Sequence, residues 1–240
     1  VLKVINDYNP VLYMDIHVTD GADYQYDITY GGIGRQGYSL GIRDWLETTY
    51  QTFTNDALKA SGHLPGPLVY AFNDRDFSQG MTIQIGGPRF SDSYGDLRHL
   101  ATILVENHSL KPFKQRVLGT YVLLENTLKL LATTGQSLKQ ITEKDKAKRM
   151  ARFPLQWKVP QLKTAVGFDT RGIQPEINAT AAHADSFQLS AIASEIRKSS
   201  VTNSDYVEWL GKPVNQTVAD YKSTEPFNFV SRPKGYWVPA

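Results

Sequence analysis

The chain has 240 residues, 41% hydrophobic and 21% charged, an ordinary globular composition long enough for one large domain or two small ones. Lys and Arg number 26 against 24 Asp and Glu, a formal net charge of +2, so no strong field recommends nucleic acid or a membrane surface as partner. There is no cysteine, which excludes disulfides, thiolate zinc sites and a thiol nucleophile but leaves the compartment open.

Residues 1–9 read as the end of a helix broken at Asn9-Pro10, and Val11 to Ile16 as a buried strand. Gly31-Gly32-Ile33-Gly34 reads as a mobile loop near a site entrance. No helix with Lys-Ser/Thr follows it, so a phosphate-binding role is unsupported. Residues 38–60 carry apolar positions at Leu40, Trp45, Tyr50 and Phe53 and predict a helix stopped by Gly62. Leu68 to Phe72, Met81 to Ile85 and Ala101 to Glu106 predict strands.

From Pro112 to Thr134 the positions Phe113, Val117, Tyr121, Leu124, Leu128 and Leu131 form one apolar stripe, with Gly135 as the stop. Strands and helices thus alternate over residues 1–135, the pattern of an α/β domain. Lys144-Asp145-Lys146-Ala147-Lys148-Arg149 reads as a solvated face in a polar linker. Phe153 to Val159 alternates as a strand. The remainder of 136–240 is rich in Thr, Val and Tyr and reads as a mostly β accessory region. No apolar run approaches the ~20 residues of a membrane helix.

Two strand ends carry polar groups suited to chemistry. The first apolar run ends in Asp15-Ile16-His17, followed by a turn at Asp20-Gly21, and Asp23 and Asp27 crowd the same segment with Tyr24 and Tyr26. That many polar groups just past a buried strand are expensive unless they face a cleft, and a neighbouring carboxylate can orient the free nitrogen of a metal-binding imidazole. The second run, Ala101 to Val105, ends in Glu106, with Asn107-His108-Ser109 continuing the polar patch. A carboxylate partly desolvated there suits a general base that activates a metal-bound water.

On these motifs, residues 11–134 resemble the C-terminal half of a zinc metallocarboxypeptidase of the carboxypeptidase A family. The resemblance implies that the sheet is mixed, that His17 is the family's third zinc ligand, that Glu106 is its catalytic glutamate, and that the helix from 112 to 134 closes the catalytic domain. It also implies that Tyr94, in Ser91-Asp92-Ser93-Tyr94-Gly95, is the mobile tyrosine that closes over the substrate. The wording from His17 to Asp27 resembles a bacterial branch of that family with an extra region after the catalytic domain, which residues 136–240 would supply.

The departures are equally specific. The residues three after His17, His63, His99, His108 and His183 are Asp20, Gly66, Thr102, Lys111 and Ser186, so the His-x-x-Glu of the first two ligands is absent. A catalytic zinc needs three protein ligands. The expectation is therefore part of a zinc-dependent hydrolase cleaving a C-terminal peptide or related amide bond. One zinc ion would bind in the full-length protein, which would be secreted or periplasmic, and this chain alone would be catalytically incomplete. The expected partners are a peptide or small amide substrate and either a second copy or a missing N-terminal half, with no nucleic acid and no membrane. The second reading is a non-catalytic peptide- or glycan-binding or scaffold module that keeps the fold.

Overall fold

A computed structural model describes residues 1–32, 38–82, 88–160, 185–221 and 225–235. After the short helix α1 (Leu2–Tyr8), the chain builds a mixed sheet from β1 (Leu12–Val18), β2 (Ile28–Gly32), β3 (Pro65–Gly66) and β5 (Ala101–Asn107), in the order β1-β5-β2-β3. β5 runs parallel to β1 and antiparallel to β2, so it lies inside the sheet while β1 forms one edge. The burial follows from this: Ala101, Ile103 and Val105 of β5 are buried, whereas Ile16 and Val18 of β1 are exposed. The fold is mixed α/β, as the alternating pattern predicts, and its sheet is mixed, as expected from the resemblance to a carboxypeptidase-like domain. Gly31 and Gly32, expected in a loop, instead close β2 by pairing with Leu104 and Ile103; Ile33 and Gly34 lie outside the described residues.

The helical stretch expected over 38–60 is present as α2 (Leu40–Trp45), a π-helical turn at Leu46–Tyr50, and α3 (Gln51–Ala60). Ile42, Trp45, Tyr50 and Leu58 pack with Ile28, Tyr30, Ile103 and Val105 as one core. The strand expected over Leu68 to Phe72 does not form; among the described residues only Ala71 bridges, to Met81. Pro65 and Pro67 have no amide hydrogens, so the ladder that starts at β3 ends after two residues. β4 is Met81–Thr82, and the expected strand residues 83–85 lie outside the described residues.

The helix expected to stop at Gly135 instead runs as α5 from Phe113 to Ala147, so most of the expected polar linker is helical. A glycine inside a helix costs about 1 kcal/mol relative to alanine. The next turn buries Leu138 completely, a gain of ~2 kcal/mol that outweighs it. The last turns are also tied down: Asp145, 1% exposed, accepts from the Ile42 amide at 2.9 Å and from Lys148 Nζ at 2.8 Å. The acid inside the basic run is therefore a buried cap for α2 and not part of a solvated face.

α5 also turns the other way from the sequence expectation. Gly119, Leu123, Thr127, Leu130 and Leu138 are buried, whereas Phe113, Tyr121 and Leu128 are 74%, 62% and 69% exposed. Residues 119, 123, 127 and 130 share the same three-and-four spacing, and Leu123, Leu130 and Leu138 pack in one core with Ile28, Ile103 and Val105 of the sheet.

The helix α4 (Ser91–Arg98) packs on β5 through Gly95. A Cβ there would collide with Thr102 Oγ1 and lie 2.9 Å from the Leu100 carbonyl oxygen. Gly95→Ala gains about 1 kcal/mol of helix propensity but overpacks a buried junction by ~3 kcal/mol. A net loss of about 2 kcal/mol in chemical denaturation is expected; a variant as stable as the wild type would refute the close packing.

β7 (Asp185–Lys198) and β8 (Asp205–Tyr221) form a long antiparallel hairpin, and β4 adds to β8 in parallel. β6 (Arg152–Lys158) pairs antiparallel with β9 (Glu225–Ser231). Among the described residues after α5 most lie in strands, and β7 and β8 share a core with the first part: Leu189, Ala191 and Val218 pack with Tyr24, Tyr26, Ala71, Phe77 and Met81.

Candidate functional site

The sheet register brings the two residues singled out by sequence side by side. In the parallel ladder His17 is opposite Glu106, and in the antiparallel ladder Thr29 is opposite Glu106. Paired residues point to the same face of a sheet, so His17, Glu106 and Thr29 form one polar row across three strands. Asp15, two residues before His17, shares that face, and its Oδ1 lies 3.0 Å from His17 Nε2. With Nε2 engaged by the carboxylate, Nδ1 is the nitrogen directed to any ligand. Asp15, His17, Thr29 and Glu106 all line one cavity of about 430 Å³.

Two further segments build its walls. The non-strand stretch Leu68 to Ala71 and Asp74 form one side; Arg89, Phe90, Ser91 and Asp92, at the start of α4, form another. Arg89 places its guanidinium carbon 5.0 Å from the centre of the Phe90 ring. The floor includes Tyr24, 3% exposed. Burial pushes the Tyr24 phenol up to about 12; hydrogen bonds with Thr29 and Thr19 offset this in part, and the carboxylates of Glu106 and Asp23 add to it. The phenol therefore stays protonated at neutral pH and is a donor on the cavity floor.

Tyr94 does not join this group. It lies within α4, with the Arg98 guanidinium carbon 5.8 Å from its ring centre, and is not among the residues lining the cavity. The segment expected to be a glycine-flanked loop is helical because Gly95 is the contact point of α4 on β5. His108 is fully buried and also stands apart from the cavity lining.

Sequence reasoning missed Thr29 and the wall Arg89 to Asp92. The polar cluster after Gly86-Gly87-Pro88 was the available signal for the wall; Thr29 carried none, because its place beside Glu106 depends on strand pairing.

The zinc implied by the resemblance finds only some of its donors here. His17, oriented by Asp15, suits one coordination position, and Glu106 is its neighbour in the next strand. Among the described residues no group of three or more His, Cys, Asp or Glu side chains could hold a metal ion. A catalytic zinc needs three protein ligands, and the described residues do not bring that number together. Among the described residues no helix is long and apolar enough to cross a membrane. No family model, curated protein or solved structure matches this chain.

Proposed function

We propose that this chain carries the general-base half of a zinc carboxypeptidase-like hydrolase centre that acts on a C-terminal peptide bond or a related small amide. The observation that carries the reading is the register of His17 opposite Glu106, on one face and in one cavity, with Asp15 holding the imidazole. His17 would be one residue holding a zinc ion, which would supply a Lewis acid. Glu106 would take a proton from the attacking water as its oxygen bonds to the amide carbon, and would pass that proton to the nitrogen as the C–N bond breaks. Thr29 Oγ1 donates to the main-chain carbonyl of Glu106 at 3.4 Å, which supports the strand that carries the base.

The shortfall in ligands fits the edge position of β1. Among the described residues nothing pairs with its outer edge, and the outward apolar stripe of α5 lies beside it, with Val18, Phe113, Val117 and Tyr121 lining a groove of about 380 Å³. An unprotected edge next to an apolar helix face favours addition of further polypeptide. A strand added to the β1 edge would pair beside His17, whereas the groove lies on the α5 face of the sheet, opposite the row of His17 and Glu106.

Zinc titration of the purified chain by calorimetry tests the ligand assignment. Weak binding is expected, and His17→Ala should lower the affinity at least about tenfold, since one imidazole is the main donor. Binding that is unchanged in His17→Ala would overturn the assignment and favour the scaffold reading.

A further inference from the structure

The loop between His17 and β2, residues 19–27, carries Thr19, Asp20, Ala22 and Tyr24 into the cavity wall. A loop of this kind would be mobile if it were held only at its ends. It is gripped from two sides.

The inner grip comes from the end of β5. Thr19 N–H donates to the Asn107 carbonyl at 2.9 Å, and Ser109 N–H donates to Thr19 Oγ1 at 3.0 Å. His108, two residues past Glu106 and 0% exposed, is the centre of this grip. Two backbone amides of this region point at its ring: Leu110 N–H donates to Nδ1 at 3.1 Å and Tyr24 N–H donates to Nε2 at 3.2 Å. Nε2 also lies 3.0 Å from Asp23 Oδ1, and the Tyr24 ring packs 4.4 Å from the imidazole, centre to centre. The outer grip comes from the β7–β8 hairpin. Gln25 N–H donates to the Ser190 carbonyl at 2.8 Å. Gln25 Nε2 donates to the carbonyls of Ala191 and Val214 at 3.1 and 3.0 Å, which ties the loop to both strands of the hairpin.

We infer that the β7–β8 hairpin is a positioning element of the candidate site, holding loop 19–27 from outside through Gln25 while His108 holds it from inside through Asp23. The inference rests on the His17–Glu106 reading for its purpose. The accessory region then serves the site directly: it keeps the segment that leaves His17 at a fixed distance from the strand that ends in Glu106. His108 is a positioning residue and does not touch the cavity.

Amide hydrogen exchange on the intact chain tests this, with Asp23→Ala and Gln25→Ala as variants that leave the buried imidazole in place. Each variant should speed exchange at Thr19 and Tyr24 at least about tenfold while Ile103 and Val105 of β5 stay protected. Zinc affinity at His17 should fall at least about threefold in both. Asp23→Asn should keep protection near that of the wild type, because the amide retains the size and reach of the side chain beside the His108 ring. Unchanged exchange at Thr19 and Tyr24, or equal loosening of β5 and the loop, would overturn the inference. If zinc fails to bind His17 in the wild type, the site reading falls, while the exchange pattern still decides whether the clamp exists.

Discussion

Glu106→Gln is expected to lower the rate of amide hydrolysis about a thousandfold in the assembly that carries the activity, with zinc binding through His17 retained. The amide keeps the shape and the hydrogen-bonding reach of the carboxylate but cannot take a proton, and general-base catalysis contributes roughly 10²–10⁴-fold. Glu106 is half-buried, follows the buried strand residues Ala101, Ile103 and Val105, and shares its row with His17 and Thr29. Steady-state rates on peptides with a free C-terminus, read with metal content by elemental analysis, separate the two roles. Turnover within threefold of wild type would remove Glu106 from the mechanism. Loss of metal together with activity would make it a ligand instead.

Wild-type stability should carry a penalty above pH 6 that Asp96→Asn removes. Asp96 sits in α4, 2% exposed; its Oδ2 accepts from the Tyr38 amide at 3.3 Å, while its Oδ1 is buried without a hydrogen-bond partner. Burial raises its carboxyl to about 6 from 3.8; hydrogen bonds from Tyr38 and Ser39 oppose this and the Asp145 carboxylate adds to it. The folded state thus holds this proton more tightly than the unfolded chain. Between about pH 4 and 6 the folded state has more protons bound, so stability falls as pH rises and is flat above. Each pH unit across that interval removes ~1.4 kcal/mol, so the whole loss is about 3 kcal/mol. His99 and His108 are pushed below the ordinary histidine value, chiefly by burial, and work in the opposite direction. They are present in both proteins, so the difference between wild type and Asp96→Asn isolates Asp96. Urea unfolding at pH 4 and pH 7 should show the variant gaining about 3 kcal/mol relative to wild type across that interval. Parallel pH profiles would refute the buried, ionised carboxylate.

The strand ends that carry the candidate chemistry were legible because a β-rich apolar run that stops at a polar side chain reports its own boundary. Asp15, His17 and Glu106 were found in this way, and the orienting role of a nearby carboxylate was expected. Tyr94 was carried by resemblance alone, and the helix around it stands clear of the cavity lining. The stop at Gly135 failed because a glycine weakens a helix by less than the burial of Leu138 and the capping by Asp145 strengthen it.

The α/β character, the two strand ends and the absence of cysteine and of a His-x-x-Glu motif are fixed by the order of residues alone, since each depends on local pattern or on counting residue types. Only the tertiary structure decided that His17 and Glu106 are neighbours, that Thr29 completes their row, which face of α5 meets the sheet, and that the β7–β8 hairpin grips the loop behind the cavity. Those are pairings between segments up to 189 residues apart, as for Gln25 and Val214. Residues that far apart are brought together by the register of the sheet and the competition between alternative apolar faces, and neither is encoded in any single segment.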